Sequence, residues 1–438
     1  MKVLFIDQDG ELTDLAWRAV TDGHDVRRFI KDTPHTAKVG KGLTKIVREY
    51  RPFVKWADII ILSQNNLYMK EADAWRRDGC VVIGPTEESA KWEIDREYGQ
   101  KIFADHGIDT LPYTMFNNYD KAIAYVKKQD QRFVSKPAGD NPDKALSYVS
   151  KSPQDMVFML ERWKKLGKLK PPFMLQEFTP GIEMAVASWF GPGGFNRGWE
   201  ENWEFKKLMN DDLGVATGEQ GTVIRYVAKS SLAKKVLVPL EEALAKTGHI
   251  GDIDVNCIID EKGTPWPLEF TCRFGYPTVN IQQALHEGDS IEWLMDLANG
   301  KDARNRRLDE VAVGVVLSIP DYPYSRLTGR DVEEIPVYNV PLVPHQDYHP
   351  CQMMLGTAPI KKGGTISTQP CLVTAGDYIM TVTGTGETVL QAKKAAYKAI
   401  KKVEIPNSLM YRTDISNRLK KQLPQLQAMG YATGMSYD

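Results

Sequence analysis

The chain has 438 residues, of which 42% are hydrophobic and 26% charged, and its formal net charge at pH 7 is −1. This length predicts two to four folded domains, and the near-neutral charge gives no reason to expect nucleic acid or a membrane surface as a partner. The five cysteines are scattered without C-x-x-C spacing, which argues against a disulfide framework or a zinc site. No apolar run approaches the roughly 18 residues that span a bilayer, so we expect a cytoplasmic protein.

The first 95 residues alternate predicted strands with predicted helices. The predicted strands are Lys2–Ile6, Asp58–Ser63 and Cys80–Pro85. The predicted helices are Leu12–Ala19 and Met69–Arg77. This alternation indicates a parallel sheet, so we expect a Rossmann-like α/β domain over residues 1–95. Ligands of such sheets bind at the carboxyl ends of the strands, which makes the loop after Ile6 a candidate binding loop.

The middle of the chain combines helical patterns with antiparallel strands. The helical patterns are Thr86–Gly107 and Ser231–Thr247. Arg132–Pro137 is a predicted strand. Two hairpins are also predicted, one from Phe173–Phe178 and Glu183–Phe190, the other from Asp252–Ile259 and Pro265–Arg273.

The pattern changes again from Val311 onward. The predicted strands there are Val311–Ile319, Pro350–Leu355 and Asp377–Thr383. The predicted helices are Glu387–Val403 and Arg412–Gln422. We therefore expect a small α+β domain with a helical tail at residues 306–438. The fold class as a whole is a mixture of α/β and α+β domains.

The stretch Trp266–Pro277 reads as a strand that runs into a loop, with polar and apolar residues in alternation. Period two places Glu269, Thr271 and Arg273 on one face. A carboxylate and a guanidinium on one strand face suit a site for metal-bound phosphate and an anionic substrate. The alternative is a solvent-exposed ion pair on an edge strand, which would carry no function.

Two further segments carry residues that suit a nucleotide. Lys136 ends a predicted strand, where a cationic side chain can meet phosphates, although most lysines are simply solvated. The extended segment Gln176–Phe178 can present its backbone to an adenine edge, and Glu183 follows at a distance that suits ribose hydroxyls. The alternative for this segment is a hairpin with exposed acids.

Two more segments place charged or oxygen-bearing side chains together. Alternation puts Lys206 on the same strand face as Glu204. Asp254 and Asn256 lie one residue apart on the strand that is predicted to pair with the strand of Glu269. Oxygen ligands in this arrangement suit magnesium, which prefers carboxylates together with phosphate oxygens.

In this order the features resemble the ATP-grasp superfamily. Glu269–Pro277 is similar to the segment E-F-N-C-R-F-G-D-P-E of the glycinamide ribonucleotide synthetases, or phosphoribosylamine–glycine ligases, and the resemblance covers nearly the whole chain. It implies an ATP-grasp core at residues 96–305, with a lid at about residues 108–182. It also implies that ATP, with Mg²⁺ or Mn²⁺, phosphorylates a substrate carboxylate, and that an amine then attacks the acyl phosphate.

The resemblance assigns roles by position. ATP would be held by Arg96, Lys136, Gln176, Glu177, Phe178, Glu183 and Lys206. The metal would be held by Glu269, with Thr271 at the family's asparagine position and Asp254 or Asn256 as possible replacements. Asp212 and Arg273 would bind the amino acid, and Arg273 and Lys206 are the expected catalytic residues.

The loop after the first strand departs from the family. The family has a glycine-rich turn, G-N-G-G-R-E-H, for the phosphate of phosphoribosylamine, whereas this chain has Asp7, Asp9, Gly10 and Glu11 in the matching positions. Negative side chains oppose a phosphate dianion. We therefore expect Asp7, Asp9 and Gly10 to belong to a rebuilt substrate pocket. The alternative is that the two aspartates cap the first helix.

Three functions remain open from the sequence. The preferred one is a ligase that joins glycine or another small amino acid to an amine other than phosphoribosylamine. The second is a genuine phosphoribosylamine–glycine ligase of purine biosynthesis. The third is a non-catalytic ATP-binding scaffold. The expected partners are small molecules, and the expected oligomeric state is a monomer or a homodimer.

Overall fold

The computed structural model describes residues 1–31, 33–138, 147–168, 170–196, 198–301, 309–406 and 409–438. Within these ranges, no helix is both long and apolar enough to cross a membrane. The predicted boundary between residues 305 and 306 lies outside the described residues, so the domain limits stay a prediction.

A parallel sheet opens the chain, as predicted. Its strands are β1 (Lys2–Ile6), β2 (Asp25–Phe29), β3 (Ile46–Val47), β4 (Ile59–Leu62) and β5 (Val82–Ile83). They lie in the order β3-β2-β1-β4-β5. The helices are α1 (Thr13–Thr21), α2 (Met69–Arg77), α3 (Glu87–Ile94) and α4 (Arg96–Asp105). β1 is central because its alternate residues pack into two different cores: Val3 and Phe5 into one, Leu4 and Ile6 into the other.

An antiparallel sheet forms the lid over the cleft described below. Its strands are β6 (Tyr113–Phe116), β7 (Phe133–Pro137), β8 (Tyr148–Val149) and β9 (Phe173–Glu177), in the order β6-β9-β7-β8. Its helices are α5 (Tyr119–Val126) and α6 (Pro153–Leu166). They pack on the sheet through a core that includes Phe133, Trp163 and Phe173.

The central sheet carries most of the candidate site. Its first strands are β10 (Ile182–Gly191), β11 (Gly194–Phe195), β12 (Trp199–Glu204), β13 (Gly221–Val227), β14 (Gly251–Ile259) and β15 (Pro265–Thr271). The helices of this region are α7 (Ser231–Val236), α8 (Glu241–Thr247), α9 (Thr278–Leu285) and α10 (Ser290–Ala298).

The C-terminal strands continue this sheet. They are β16 (Val311–Ser318), β17 (Glu333–Pro336), β18 (Tyr348–Pro350), β19 (Met353–Lys362), β20 (Thr365–Ala375) and β21 (Tyr378–Gly386). The central sheet runs β15-β14-β10-β12-β13-β16-β21-β18, and a separate sheet runs β17-β20-β19. The last helices are α11 (Val389–Ile400) and α12 (Leu419–Ala428). Because β16 pairs directly with β13, one hydrogen-bonded sheet joins the ATP-grasp core to the C-terminal region.

Some predicted elements differ from the structure. Phe173–Phe178 and Glu183–Phe190 do not form a hairpin, because β9 pairs with β6 and β7 whereas β10 pairs with β12 and β14. The helical pattern after Thr86 breaks at Asp95, whose side chain accepts a hydrogen bond from the N–H of Tyr98 and starts α4. The pattern after Ser231 breaks at Pro239. The last helix begins at Leu419 rather than Arg412.

Candidate active site

A cavity of about 400 Å³ lies between the lid and the central sheet. It is lined by all the residues predicted to hold ATP, namely Arg96, Lys136, Gln176, Glu177, Phe178, Glu183 and Lys206. It is also lined by the predicted metal residues Asp254, Asn256, Glu269 and Thr271, and by Arg273. The structure thus brings together in one cleft side chains that are far apart in the sequence.

Cations and carboxylates alternate across the middle of the cleft. Lys206 Nζ lies 2.8 Å from an oxygen of Glu183 and of Glu204, and 4.0 Å from Glu269 Oε1. Arg96 Nη1 lies 2.6 Å from Glu269 Oε2. Burial alone would lower the pKa of Lys206, but its three carboxylate neighbours raise that pKa well above its ordinary value. Lys206 therefore keeps its positive charge in the cleft.

Lys136 lies in the same cleft, but its surroundings disfavour its positive charge. Its Nζ donates to the backbone oxygen of Leu268 at 3.2 Å, and only 7% of the residue is exposed. Burial, reinforced by the charge of Arg96, lowers the pKa of Lys136 to about 7. A polyphosphate next to the amine would favour its charged form and raise this pKa, so nucleotide binding takes up a proton.

We expect the affinity for ATP to fall as the pH rises above about 7, by up to tenfold per pH unit, because the free enzyme must then protonate Lys136 to bind. Isothermal titration calorimetry in two buffers with different heats of ionisation measures both the affinity and the proton uptake. Lys136→Gln should bind weakly and lose the pH dependence. Lys101→Gln, a change at an exposed lysine, should keep it. A wild-type affinity that stays constant across this range would contradict the assignment.

The lid strand β9 ends at the segment predicted to meet adenine. The N–H of Phe178 donates to Arg132 O at 3.0 Å, and the N–H of Glu177 donates to Pro112 O at 2.9 Å. The guanidinium of Arg132 lies 3.6 Å from the ring centre of Phe178. These contacts hold the segment extended along one wall of the cleft, beside Thr179, which also lines the cavity.

The predicted metal residues face each other across a strand pair. In the register of β14 and β15, Asp254 lies opposite Thr271 and Asn256 lies opposite Glu269. The Oδ1 atom of Asn256 is buried and accepts no hydrogen bond from the described residues, while its Nδ2 donates to Glu204 at 2.8 Å. Burial, helped by Glu204, raises the pKa of Asp254 well above its ordinary value, which weakens it as a ligand.

These observations fit magnesium. The ion takes one or two protein oxygens and completes its shell with phosphate oxygens and water. Glu269 and the unpartnered oxygen of Asn256 supply that number. In the described part of the chain, no group of three or more His, Cys, Asp or Glu side chains is arranged to hold a metal ion.

The strand β15 leads to the expected substrate end of the cleft. Arg273 Nη1 donates to Phe274 O at 2.7 Å, and its Nε lies 3.5 Å from Glu93 Oε1. The second oxygen of Glu93 accepts from the N–H of Cys272 at 2.8 Å and from Asn65 at 2.7 Å. Glu93 thus fixes the position of Arg273 while a side of the guanidinium still faces the cavity.

Asp7 lies in the protein interior rather than in the cleft. Its carboxylate accepts hydrogen bonds from the N–H groups of Glu11 and Leu12, both at 3.0 Å, and from Arg28 at 2.9 and 2.5 Å. Neither Asp7 nor Arg28 has any exposed surface. Asp7 is not the N-cap of α1, which is Leu12; its carboxylate instead closes the turn that leads into the helix.

The rest of this loop is acidic. Gly10 has φ of 78°, and a Cβ there would lie 2.7 Å from Val39 Cγ1, so this glycine serves the turn. Burial, with the charge of Asp7, raises the pKa of Asp9. Burial raises the pKa of Glu11 to about 8 against the opposing charge of Arg273, and Gln64 donates a hydrogen bond to Glu11. The loop therefore presents protonatable acids near Arg273.

Asp212 is placed away from the residues that line the cavity. Its carboxylate pairs with Arg412 at 2.8 Å and with Arg418 at 3.2 Å. Arg412 also donates to Lys207 O at 3.0 Å, and Arg418 donates to Glu204 O. Both guanidinium groups lie beside the ring of Phe205, at 5.4 and 4.1 Å from its centre. The C-terminal tail therefore braces the segment that carries Lys206.

Glu219 is a cleft residue that no sequence pattern indicated. It is 6% exposed and lines the cavity. Burial, together with Glu204 and Asp254, raises its pKa well above the ordinary value. Residues 210–221 are rich in glycine and aspartate, which is typical of a loop, and such a composition does not show which side chains turn inward.

Two segments of the chain match one known family. Residues 94–279 match "Phosphoribosylglycinamide synthetase, ATP-grasp (A) domain", and residues 312–418 match the C domain of the same synthetase. The chain is an ATP-grasp ligase of this family. The resemblance seen in the sequence, the mixed fold class and the classification as a C–N bond-forming, ADP-producing enzyme are confirmed.

Relatives and solved structures support the same family. The ligase is 26% identical over 357 residues to a phosphoribosylamine–glycine ligase of Ralstonia nicotianae, covering 79% of this chain and 80% of that one. It is 24% identical to the corresponding ligase of Salmonella typhimurium, covering 95% and 98%. The fold matches a phosphoribosylamine–glycine ligase of Thermotoga maritima with a TM-score of 0.72, at 21% identity, over 95% of this chain and 100% of that one. ATP-grasp ligases use ATP with Mg²⁺ or Mn²⁺, as predicted.

Proposed function

We propose that this ligase joins the carboxylate of a small amino acid to an amine other than phosphoribosylamine. The observation that carries the proposal is the position of Asp7 in the turn between β1 and α1. Backbone N–H groups of a turn that leads into a helix can bind a phosphate. Here the N–H groups of Glu11 and Leu12, just before the helix begins at Thr13, donate to the Asp7 carboxylate instead.

The charge of the loop points the same way. Arg28, the cation closest to Asp7, is fully buried and already paired with it. Asp9 and Glu11 add two more acids to the loop, and burial raises the pKa of both, that of Glu11 to about 8. Where one of these acids is ionised, a phosphate dianion about 4 Å away would be repelled by several kcal/mol at an effective dielectric constant of about 20. An unphosphorylated amine meets no such repulsion.

The cleft residues fit the steps of an acyl-phosphate ligase. Arg96, Lys136 and Lys206 would hold the phosphates of ATP, and Arg273 would hold the amino-acid carboxylate next to the γ-phosphorus. The carboxylate attacks that phosphorus and ADP leaves. The amine then attacks the acyl carbon, inorganic phosphate leaves, and the amine loses a proton. Magnesium held by Glu269 and Asn256 supplies charge neutralisation of the phosphates, and the protein positions the reactants.

Phosphoribosylamine is the second candidate acceptor. The relatives named above carry phosphoribosylamine–glycine ligase as their name, and they favour this acceptor over the one we propose. It would require the phosphate to bind outside the loop that follows β1. Glycine is in either case the first amino acid to test. The cytoplasmic location and the state as monomer or homodimer stay predictions.

A coupled assay of ADP release separates the two candidates. The purified ligase is given MgATP and glycine with either freshly generated phosphoribosylamine or a panel of unphosphorylated amines. We expect amine-dependent ADP release only with members of the panel, and amide products by mass spectrometry. Rapid ADP release that needs both phosphoribosylamine and glycine would overturn the proposal in favour of the second candidate.

A further inference from the structure

A group of buried polar side chains, which includes the predicted metal residue Asp254, lies on the cleft face of the central sheet. We call it the acidic recess, and its members are Glu200, Asn202, Asp252, Asp254 and Gln282. None of them is more than 9% exposed. They come from β12, β14 and α9, and β10 lies between the two strands in the sheet.

Small side chains leave room for this recess. In the register of the sheet, Ala187 of β10 lies directly between Glu200 of β12 and Asp254 of β14. Ala185 occupies the same position between Asn202 and Asn256. Ala187, Asp252 and Asp254 also line the cavity of the candidate active site. A ligand in the cleft can therefore reach the recess above Ala187.

Two side-chain amide groups bridge the carboxylates of the recess. Asn202 Nδ2 donates to Asp254 Oδ2 at 2.8 Å and to Glu200 Oε1 at 3.4 Å. Gln282 Nε2 donates to Glu200 Oε2 at 2.8 Å and to Asp252 Oδ2 at 3.2 Å. Each amide donates to two carboxylates, so the two amide groups have no N–H left for the remaining oxygens of the recess.

Oxygen atoms without a donor remain. Among the described residues, no donor reaches Asn202 Oδ1, Asp252 Oδ1, Asp254 Oδ1 or Gln282 Oε1, and all are buried. In the same part of the chain, no lysine, arginine or histidine forms an ion pair with Glu200, Asp252 or Asp254; the pairs recorded near the cleft go to other carboxylates. Buried oxygens without donors are costly and uncommon, so their concentration in one place indicates a missing donor.

We propose that the acidic recess binds the cationic nitrogen group, an alkylammonium, of one of the two substrates that the proposed function requires. An ammonium brings positive charge and three N–H donors on a narrow stem that fits above an alanine. A bare metal ion fits less well, because the described residues contain no group of acidic, histidine or cysteine side chains arranged to ligate one. The inference names a substrate class for the proposed ligase and rests on that function.

The ammonium can come from either substrate. A dibasic amino acid would place its carboxylate at Arg273 and its side-chain ammonium in the recess. A diamine would place one nitrogen in the recess and present the other, unprotonated, to the acyl phosphate. Both sources share the chemistry that the recess recognises, and matched substrates separate them.

The experiment compares substrates that carry an additional ammonium group with substrates of similar length that lack it. Ornithine and lysine are compared with norvaline and norleucine as carboxylate substrates, and putrescine with butylamine, which has a single ammonium group, as acceptors. In the comparison that involves the recess, the substrate with the additional ammonium should show the lower KM. In Asp252→Asn and Glu200→Gln, which keep the shape but remove an ionisable carboxyl, that KM should rise at least about thirtyfold while kcat for the other substrate stays within about twofold.

Control variants test folding and space. Asp296→Asn, at a partly exposed carboxylate, should leave every KM unchanged. Ala187→Met should fill the recess without altering its charge and should raise the KM of the cationic substrate. Calorimetry with MgADP should give the wild-type affinity for the recess variants, which shows that the nucleotide cleft is intact.

If no ligation is found, the binding of the cationic compounds is measured directly. Calorimetry of each diamine and dibasic amino acid with the wild-type enzyme and with Asp252→Asn then replaces the rate assay. Absence of ligation with every substrate pair contradicts the proposed function, whereas charge-dependent binding would still support the recess. Equal binding of cationic and neutral compounds, or substrate-independent binding of Na⁺, K⁺, Mg²⁺ or Ca²⁺ that Asp252→Asn abolishes, would overturn the inference.

Discussion

Replacing Glu269 with glutamine should lower the rate of ADP release by about a hundred- to a thousandfold, which is typical when one group that stabilises the transition state electrostatically is removed. Glu269 contacts Arg96 at 2.6 Å, lies 4.0 Å from Lys206, and is opposite Asn256 on the paired strand. Glutamine keeps the size of the side chain but loses the charge that would hold magnesium and order the two cations. Single-turnover and steady-state assays with saturating ATP measure the effect on kcat.

The matched control is Glu242→Gln, at an exposed carboxylate that pairs with Lys246 on the surface helix α8. It should have wild-type activity. A Glu269→Gln enzyme within twofold of the wild-type rate would refute the metal role. ATP turnover that depends on Glu269 would in turn exclude the third function considered, that of a non-catalytic scaffold.

Replacing Asp7 with asparagine should lower the free energy of unfolding by about 3–5 kcal/mol, the usual cost of leaving a buried charge without its partner. Arg28 and Asp7 are both fully buried, and four N–H groups, two of the Arg28 side chain and two of the turn before α1, would lose a charged acceptor. Urea unfolding followed by circular dichroism measures the change.

The neighbouring residue supplies a matched control. Arg27 pairs with Asp25 on the same strand, but the Asp25 side chain is 53% exposed, so Asp25→Asn should cost at most about 1 kcal/mol. The double variant Asp7→Asn with Arg28→Met should recover part of the loss, since it removes the orphaned charge. If Asp7→Asn is no more destabilised than Asp25→Asn, the buried pair of Asp7 and Arg28 does not stabilise the fold as we expect.

Local sequence patterns predicted the positions of the strands better than they predicted how the strands pair. Lys2–Ile6 and Met69–Arg77 were predicted with the bounds that the structure has. The alternation in Phe173–Phe178 and Glu183–Phe190 correctly predicted two strands, but the predicted pairing between them is wrong. Alternation shows which face of a strand is buried, but it does not show which other strand is its neighbour. The strand Thr365–Ala375 was missed, since its exposed first half carries no apolar alternation.

For the candidate site, too, the sequence indicated single segments better than the contacts between them. The residues that we predict to hold the nucleotide and the metal line one cavity, and the sequence indicated them because their motifs follow one another in an order typical of a known family. The acidic recess could not be found in this way. Glu200 and Asn202 alternate on a predicted strand, but only the register of β12, β10 and β14 places them beside Asp252 and Asp254. Asp212 was assigned by position alone, and the structure pairs it with Arg412 and Arg418.

The contacts of Arg412 and Arg418 with the segment that carries Lys206 limit how far this protein can be shortened. A chain that stops before Arg412 would keep every residue of the ATP cleft, yet the backbone oxygens on both sides of Lys206 would lose their support. A chain that stops before Val311 would also leave the edge of β13 open to pairing with another molecule. The nucleotide-binding half is therefore not a transplantable module, and expression fragments should run through to the last helix.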